Sequence, residues 1–260
     1  MRLHLFEWED MPWYPDTIRR SQTDYLRFLM ETFDVFRAVI PQLSAAWQAS
    51  KEETLVDFCS GGGGSLLIIQ DHLLRQGLSV PMQGSDLYPN TDAFRHVEAR
   101  SQAKITFRDK PLDVRDIPED VHSGFWTIFN GFHHLRPHEA RGFLGEAVAR
   151  RRPVGIFEPI DKSPLQLIIN TLALTVLMWV VTPFLRPFRW SRLVFTYLIP
   201  LLPFFTLWDG WVSVFRLYGP AALRGMIAAI PDHEHYTWQV GKARHQFGTV
   251  IYLIGLPKVG

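Results

Sequence analysis

Apolar and polar positions change their rhythm three times along the chain. From Thr54 onward, short apolar runs bounded by glycine, proline and acids alternate with stretches whose apolar residues recur every three or four positions. This predicts strands at Thr54–Cys59, Ser79–Asp86, Lys104–Arg108, Phe125–Asn130 and Val154–Glu158. Between them it predicts helices at Ser65–Gln76 (ended by Gly77), through Phe94 and Val97, and at Pro137–Ala149. Strand–helix alternation of this kind builds a parallel sheet. At the far end, His235–Val240 and Gly248–Leu256 are two apolar runs around a polar turn and read as an antiparallel hairpin.

The flanking regions follow other rhythms. In the first fifty residues, Trp8, Trp13 and Tyr14 are interleaved with Glu7, Glu9, Asp10 and Asp16, and Pro12 and Pro15 keep that piece irregular. A helix is expected from about Thr17, carried by Tyr25, Leu26, Leu29, Phe33 and Phe36, and Pro41 opens another toward Trp47. Between the fifth strand and the hairpin lie about 75 residues, far more than one crossover needs. The expected division is therefore 1–53 as a helical extension or lid, 54–160 as an α/β core, 161–234 as an apolar insertion, and 235–260 as the closing hairpin.

Candidate chemistry begins at Leu55-Val56-Asp57-Phe58-Cys59-Ser60, followed by Gly61 to Gly64. A strand ending in an acid, a glycine turn and a helix make a site where a ligand reaches backbone N–H groups. A dinucleotide fingerprint would need a third glycine, but Leu66 stands there, which disfavours a nicotinamide-dependent oxidoreductase. A phosphate loop would need Lys-Ser/Thr, which Ser65-Leu66 does not supply. Asp86 closes the second strand, Leu112-Asp113-Val114 follows the third, and Asn130-Gly131-Phe132-His133-His134-Leu135 follows the fourth. All fall at carboxyl ends of strands, where open α/β sheets gather ligands.

Taken in order, these elements resemble the class I S-adenosylmethionine-dependent methyltransferases, whose first motif is D-x-G-x-G-x-G. Cys59 replaces the first glycine. The resemblance covers about residues 20–160 and the hairpin. It implies a Rossmann-like fold with a mostly parallel seven-stranded sheet ending in an antiparallel hairpin, here with an apolar helical insertion between strands 5 and 6. It also implies S-adenosyl-L-methionine as cofactor, held by Asp57, Cys59, Ser60, Gly61, Gly63, Asp86, Leu87, Asp113, Val114 and Asn130. In that setting Asp86 would accept the ribose hydroxyls and Leu87 would pack on the adenine. Asp113, with Asp109 and Asp116 as rivals, would meet the adenine amino group. His133 and His134 are the candidate bases, because imidazole titrates near neutrality. Glu158 is a possible second polar wall, and the N-terminal acids and aromatics form a candidate lid. Neither the histidine pair with His138 nor Asp232–His235 has ordinary zinc spacing, so no metal is expected.

Composition narrows the partners. With 27 basic and 26 acidic residues there is no polyanion-binding footprint, so nucleic acid is not expected. The one cysteine excludes an intrachain disulfide framework, and the N-terminus lacks a signal-like apolar region, which together point to the cytoplasm. Aromatic residues reach 13%, with nine Trp and nineteen Phe. Leu165–Leu185 carries no charge, Arg186, Arg189 and Arg192 follow, and Leu193–Trp208 is a second apolar run broken by Pro200 and Pro203. Three readings stay open for this insertion: a monotopic element at the inner membrane face with the arginines on lipid headgroups, a soluble lid over a greasy pocket, or a true span. The first is favoured, since a two-span hairpin would carry the arginines to the wrong side. The expected acceptor is a hydrophobic small molecule or lipid, and an exposed apolar insertion could also pair with a second copy. The rival from another class is a non-catalytic, membrane-associated binding protein on the same fold.

Overall fold

Leu55–Phe58 (β1), Phe125–Phe129 (β4) and Val154–Glu158 (β5) are buried at every residue, as continuous apolar runs covered on both faces should be. In the computed structural model, which describes residues 2–121, 123–159, 164–246 and 248–258, they form the centre of a seven-stranded sheet. Met82–Gly84 (β2) and Ile105–Phe107 (β3) extend it on one side. Gly248–Pro257 (β7) and Tyr236–His245 (β6) extend it on the other, giving the order β3-β2-β1-β4-β5-β7-β6. The first five strands are parallel, with Leu55 beside both Met82 and Phe125, while β7 runs antiparallel to both β5 and β6. This is the Rossmann-like class I methyltransferase fold that the motif order implied.

Strand alternation divides the core. Val56, Phe58, Trp126, Ile128, Val154 and Ile156 face one way, toward helix α5 (Pro137–Ala149) and helix α9 (Pro220–Ile227). Leu55, Phe125, Phe129 and Phe157 face the other way, toward α2 (Ile40–Ser50), α3 (Gly64–Arg75) and α4 (Thr91–Arg100). Two strands differ most from expectation, and β2 ends at Gly84, two residues before Asp86. β2 starts only at Met82, after Pro81, and β6 runs on through Gly241–His245 because its polar side chains lie on the solvated face while the backbone stays paired with β7.

A third apolar cluster lies over the carboxyl edge of the sheet. It joins Tyr14, Ile18, Tyr25 and Leu29, from helix α1 (Asp16–Phe33) and its approach, to Met178, Leu185 and Leu202 of the insertion. The insertion comprises α6 (Pro164–Val181), α7 (Trp190–Leu193) with a π-turn over Val194–Leu198, and α8 (Leu201–Arg216). The expected boundary at 160/161 lies outside the described residues. Among those described, no single helix is long and apolar enough to cross a membrane. Trp190–Leu198 and Leu201–Arg216 reach that length and composition only as a pair, bent by 83°.

The insertion arginines depart from expectation. Arg192 is buried and ion-paired to Asp24 of α1, and Arg189 binds Asp24 (3.1 Å) and Asp92 (3.0 Å). They fasten the insertion to the rest of the molecule, and of the three only Arg186 is left exposed for a headgroup. The reason is Asp24, a carboxylate with no exposed side-chain surface whose burial is tolerable only with cations beside it.

Candidate active site

The glycine turn is built from strain and close packing. Cys59 sits at φ 56° and Gly61 at φ 54°, both in the left-handed region, so a glycine in place of Cys59 would relieve a local cost. Gly63, at φ 73°, has no room for a side chain, since a Cβ would lie 2.6 Å from the Phe107 ring. A Cβ on Gly64 would meet Arg27 of α1 at 2.1 Å. These glycines therefore serve helix packing. Of the four, only Gly61 leaves room for a Cβ without a clash, its nearest neighbour being a Thr23 methyl at van der Waals distance, 3.8 Å.

Asp57 and Gly63, both expected at the cofactor, do not line the central cavity. Asp57 lies beneath the turn, accepting hydrogen bonds from the hydroxyls of Ser60 (2.7 Å) and Thr127 (2.9 Å). Burial pushes its carboxyl up to about 8 against those bonds. Its place is to fasten β1, β4 and the turn together.

Cys59, Ser60, Gly61, Asp86, Leu87, Asp113, Val114 and Asn130 do meet at one cavity of about 970 Å³. Asp86 accepts the backbone N–H groups of Gly61 and Tyr88, each at 2.8 Å, while burial raises its carboxyl. Burial also raises the Cys59 thiol well above its ordinary value, helped by Asp86 and Asp57, so it is no nucleophile. Asn130, held left-handed at φ 59°, has a buried side-chain oxygen with no hydrogen-bond partner. Asp113 fits its expected role poorly. The Arg115 guanidinium takes both its oxygens at 2.6–3.0 Å and lowers its carboxyl.

The two histidines differ sharply. His133 is buried, and Glu158 accepts from its backbone N–H (3.0 Å) while facing its Nδ1 at 2.8 Å. That fixes the ring and leaves Nε2 as the nitrogen free to act. His134 lies among acids of the N-terminal segment: Asp10 at 2.8 Å, Glu7 at 3.2 Å and Glu9 at 3.5 Å. Burial opposes its charge, but Glu7, Asp10 and Glu9 outweigh that and hold it well above the usual histidine range. An imidazole engaged by three carboxylates is poorly placed to serve as a base, so of the two candidates His133 is favoured. Arg216 closes the cluster, 3.3 Å from Glu7 and 2.5 Å from Asp10.

Sequence reasoning missed Asp209 and Arg216. Asp209 receives the N–H groups of Trp8 (2.7 Å) and Glu9 (3.4 Å) and the amide of Gln22 (3.0 Å), which clamps the N-terminal segment over the cavity. Its signal was present, since it is the only charged residue from Leu193 to Phe215, and an isolated charge in an apolar run marks a specific role. Beyond the polar cluster the cavity continues between α6 and α8, lined by Leu174, Met178, Pro203, Leu207 and Val214.

No protein-family model matches the chain, and no curated protein matches it. Solved structures do. The plantazolicin methyltransferase BpumL in complex with SAH aligns over 94% of this chain and 96% of its own, at 10% identity and a TM-score of 0.52. The citrinin polyketide synthase CMeT domain structure gives 0.52 at 12% identity over 89% of this chain and 55% of its own. An O-methyltransferase family protein from Burkholderia thailandensis gives 0.50 at 16% identity over 92% of this chain and 60% of its own. The chain thus spans little more than half of these last two. At such identities the likeness is one of fold, and it agrees with the strand order.

Proposed function

We propose that this protein is a methyltransferase that uses S-adenosyl-L-methionine on an apolar small molecule or lipid-like acceptor, working at the inner face of a membrane. The observation that carries this reading is the continuous cavity. It runs from the glycine turn, past Asn130 and His133, into an apolar cleft between α6 and α8.

The residues at the first end fit the cofactor. Gly61 leaves backbone space, Asp86 offers a carboxylate at the edge of β2, Leu87 offers an apolar face, and the partnerless Asn130 oxygen can accept from an ammonium. When bound, the cofactor supplies a methyl group on a positively charged sulfur. The chain itself must align the acceptor, exclude water and manage one proton. Alignment falls to the α6–α8 cleft, and exclusion of water to the N-terminal segment clamped by Asp209 and latched at His134. His133, oriented by Glu158, is the group placed to meet the acceptor's reacting atom.

Membrane contact is supported by the outward faces of the same helices. Val176, Val180, Phe184, Trp190, Leu198 and Phe204 are all more than half exposed. Apolar surface on this scale, with Trp and Tyr at its margins, suits a lipid interface. To test the reading, a lipid extract is incubated with the protein and isotope-labelled S-adenosylmethionine. Mass spectrometry should show a labelled product heavier by one methyl group. An intact, folded sample that binds adenosylhomocysteine yet labels no apolar acceptor would favour the non-catalytic binding protein instead.

A further inference from the structure

His133 and His134 are adjacent in the chain, but the third member of their cluster arrives from the other end of the fold. One ring nitrogen of each and one carboxylate oxygen of Glu7 lie within 4.8 Å of one another, and both histidines line the cavity. Two features make this more than an ion pair. Glu7 has no exposed surface, Arg216 engages its Oε1, and its Oε2 accepts no hydrogen bond although it is fully buried. Glu158 holds the Nδ1 side of His133, the carboxylate–imidazole arrangement that aims the far nitrogen of a metal-binding histidine.

The geometry points to a divalent transition-metal site formed by Glu7, His133 and His134. Two imidazoles and a carboxylate select a first-row ion of the zinc, cobalt or iron type over magnesium, which prefers oxygen alone. Because both histidines line the cavity, a metal held there would suit an oxygen donor of the acceptor. That use rests on the methyl-transfer reading, but metal binding itself does not. The site escaped the sequence because the expected zinc spacings are local, whereas Glu7 joins from the N-terminal segment that Asp209 clamps down.

The test uses the full chain stripped with chelator and titrated with Co²⁺, followed by visible absorption and elemental analysis. One cobalt per chain is expected, with d–d bands that Zn²⁺ bleaches and excess Mg²⁺ does not. Glu158→Gln, which leaves all three ligands in place, should weaken Co²⁺ binding 10- to 100-fold. Glu7→Gln should weaken it further still. Asp232→Asn, in the exposed Asp232–Glu234–His235 cluster, should leave it unchanged. Folded wild-type protein that takes up no cobalt would overturn the inference, as would binding that survives Glu7→Gln and disappears with Asp232→Asn. Adenosylhomocysteine titration of the same stripped sample separates the two readings: if it binds while cobalt does not, the metal site falls and the methyltransferase stands.

Discussion

The sheet core and the cap above it are built on opposite plans. In the core, α5 buries Ala140, Phe143, Leu144, Ala147 and Val148 against the sheet and turns its polar residues outward. In the cap, α8 buries Asp209, Ser213 and Arg216, while Phe204 and Trp211 face out. α1 likewise buries Arg19, Gln22, Asp24 and Arg27 beside Ile18 and Tyr25. Apolar burial drives the core together. The cap is held by paired charges inside as well as by its apolar cluster, and a further apolar surplus is left on its outer face. The difference teaches that the two layers do different work: the core fixes where the strand ends lie, and the cap sets which molecule can reach them.

Perturbations that strike each plan at its strongest point should show the largest effects. Trp126→Ala, at a fully buried core ring, should cost about 3–5 kcal/mol in global stability by denaturant unfolding. Asp24→Ala should cost a similar ~3–5 kcal/mol, because Arg192 and Arg189 are left without their shared carboxylate. The two are told apart by hydrogen exchange. The Asp24 change should expose α1 and α7 while the strands stay protected, and uniform loss across both layers would break the comparison. Next in size, Asp86→Ala should weaken adenosylhomocysteine binding by about 1–3 kcal/mol with little change in stability. Unchanged affinity would remove Asp86 from the cofactor end.

A smaller effect depends on pH. Asp57 keeps its proton up to about 8 in the folded protein, while an ordinary aspartate releases its own near 4. A raised carboxyl gives stability that is complete below about pH 4 and lost as pH rises through the folded value of about 8. Unfolding midpoints should therefore fall from about pH 4 to about pH 8 and level off above it, and Asp57→Asn should flatten that fall. Smallest in stability are Val176→Ser and Val180→Ser on the outer face of α6, within about 0.5 kcal/mol each because neither side chain is packed. Their effect should appear instead as lost sedimentation with phospholipid vesicles. Vesicle binding that survives both would direct the apolar face to a different partner.

The core was legible because its information is local. Apolar runs, a glycine turn and an acid at a strand end each lie within a few residues, and so β1, β4, β5, α3 and α5 fall at or within a residue or so of their expected bounds. The cap was less legible because its bonds join distant segments. Nothing near Arg189 or Arg192 in the sequence names Asp24 as their partner, so a charged turn after an apolar run reads as a headgroup contact. His134 looks like a base until Glu7, Glu9 and Asp10 are seen around it. Gly63 looks like a ligand contact until Phe107 occupies its far side. In each case the residue's surroundings are set by a neighbour that no local pattern reveals.

The central claim is that the hollow beside Gly61, Asp86 and Asn130 holds an adenosyl group, and calorimetric titration of the full chain with adenosylhomocysteine tests it most directly. One binding event per chain, weakened in Asp86→Ala and in Asn130→Ala, is the expected result. A folded sample that gives no heat with adenosylhomocysteine, or that binds it equally well in both variants, would contradict the account.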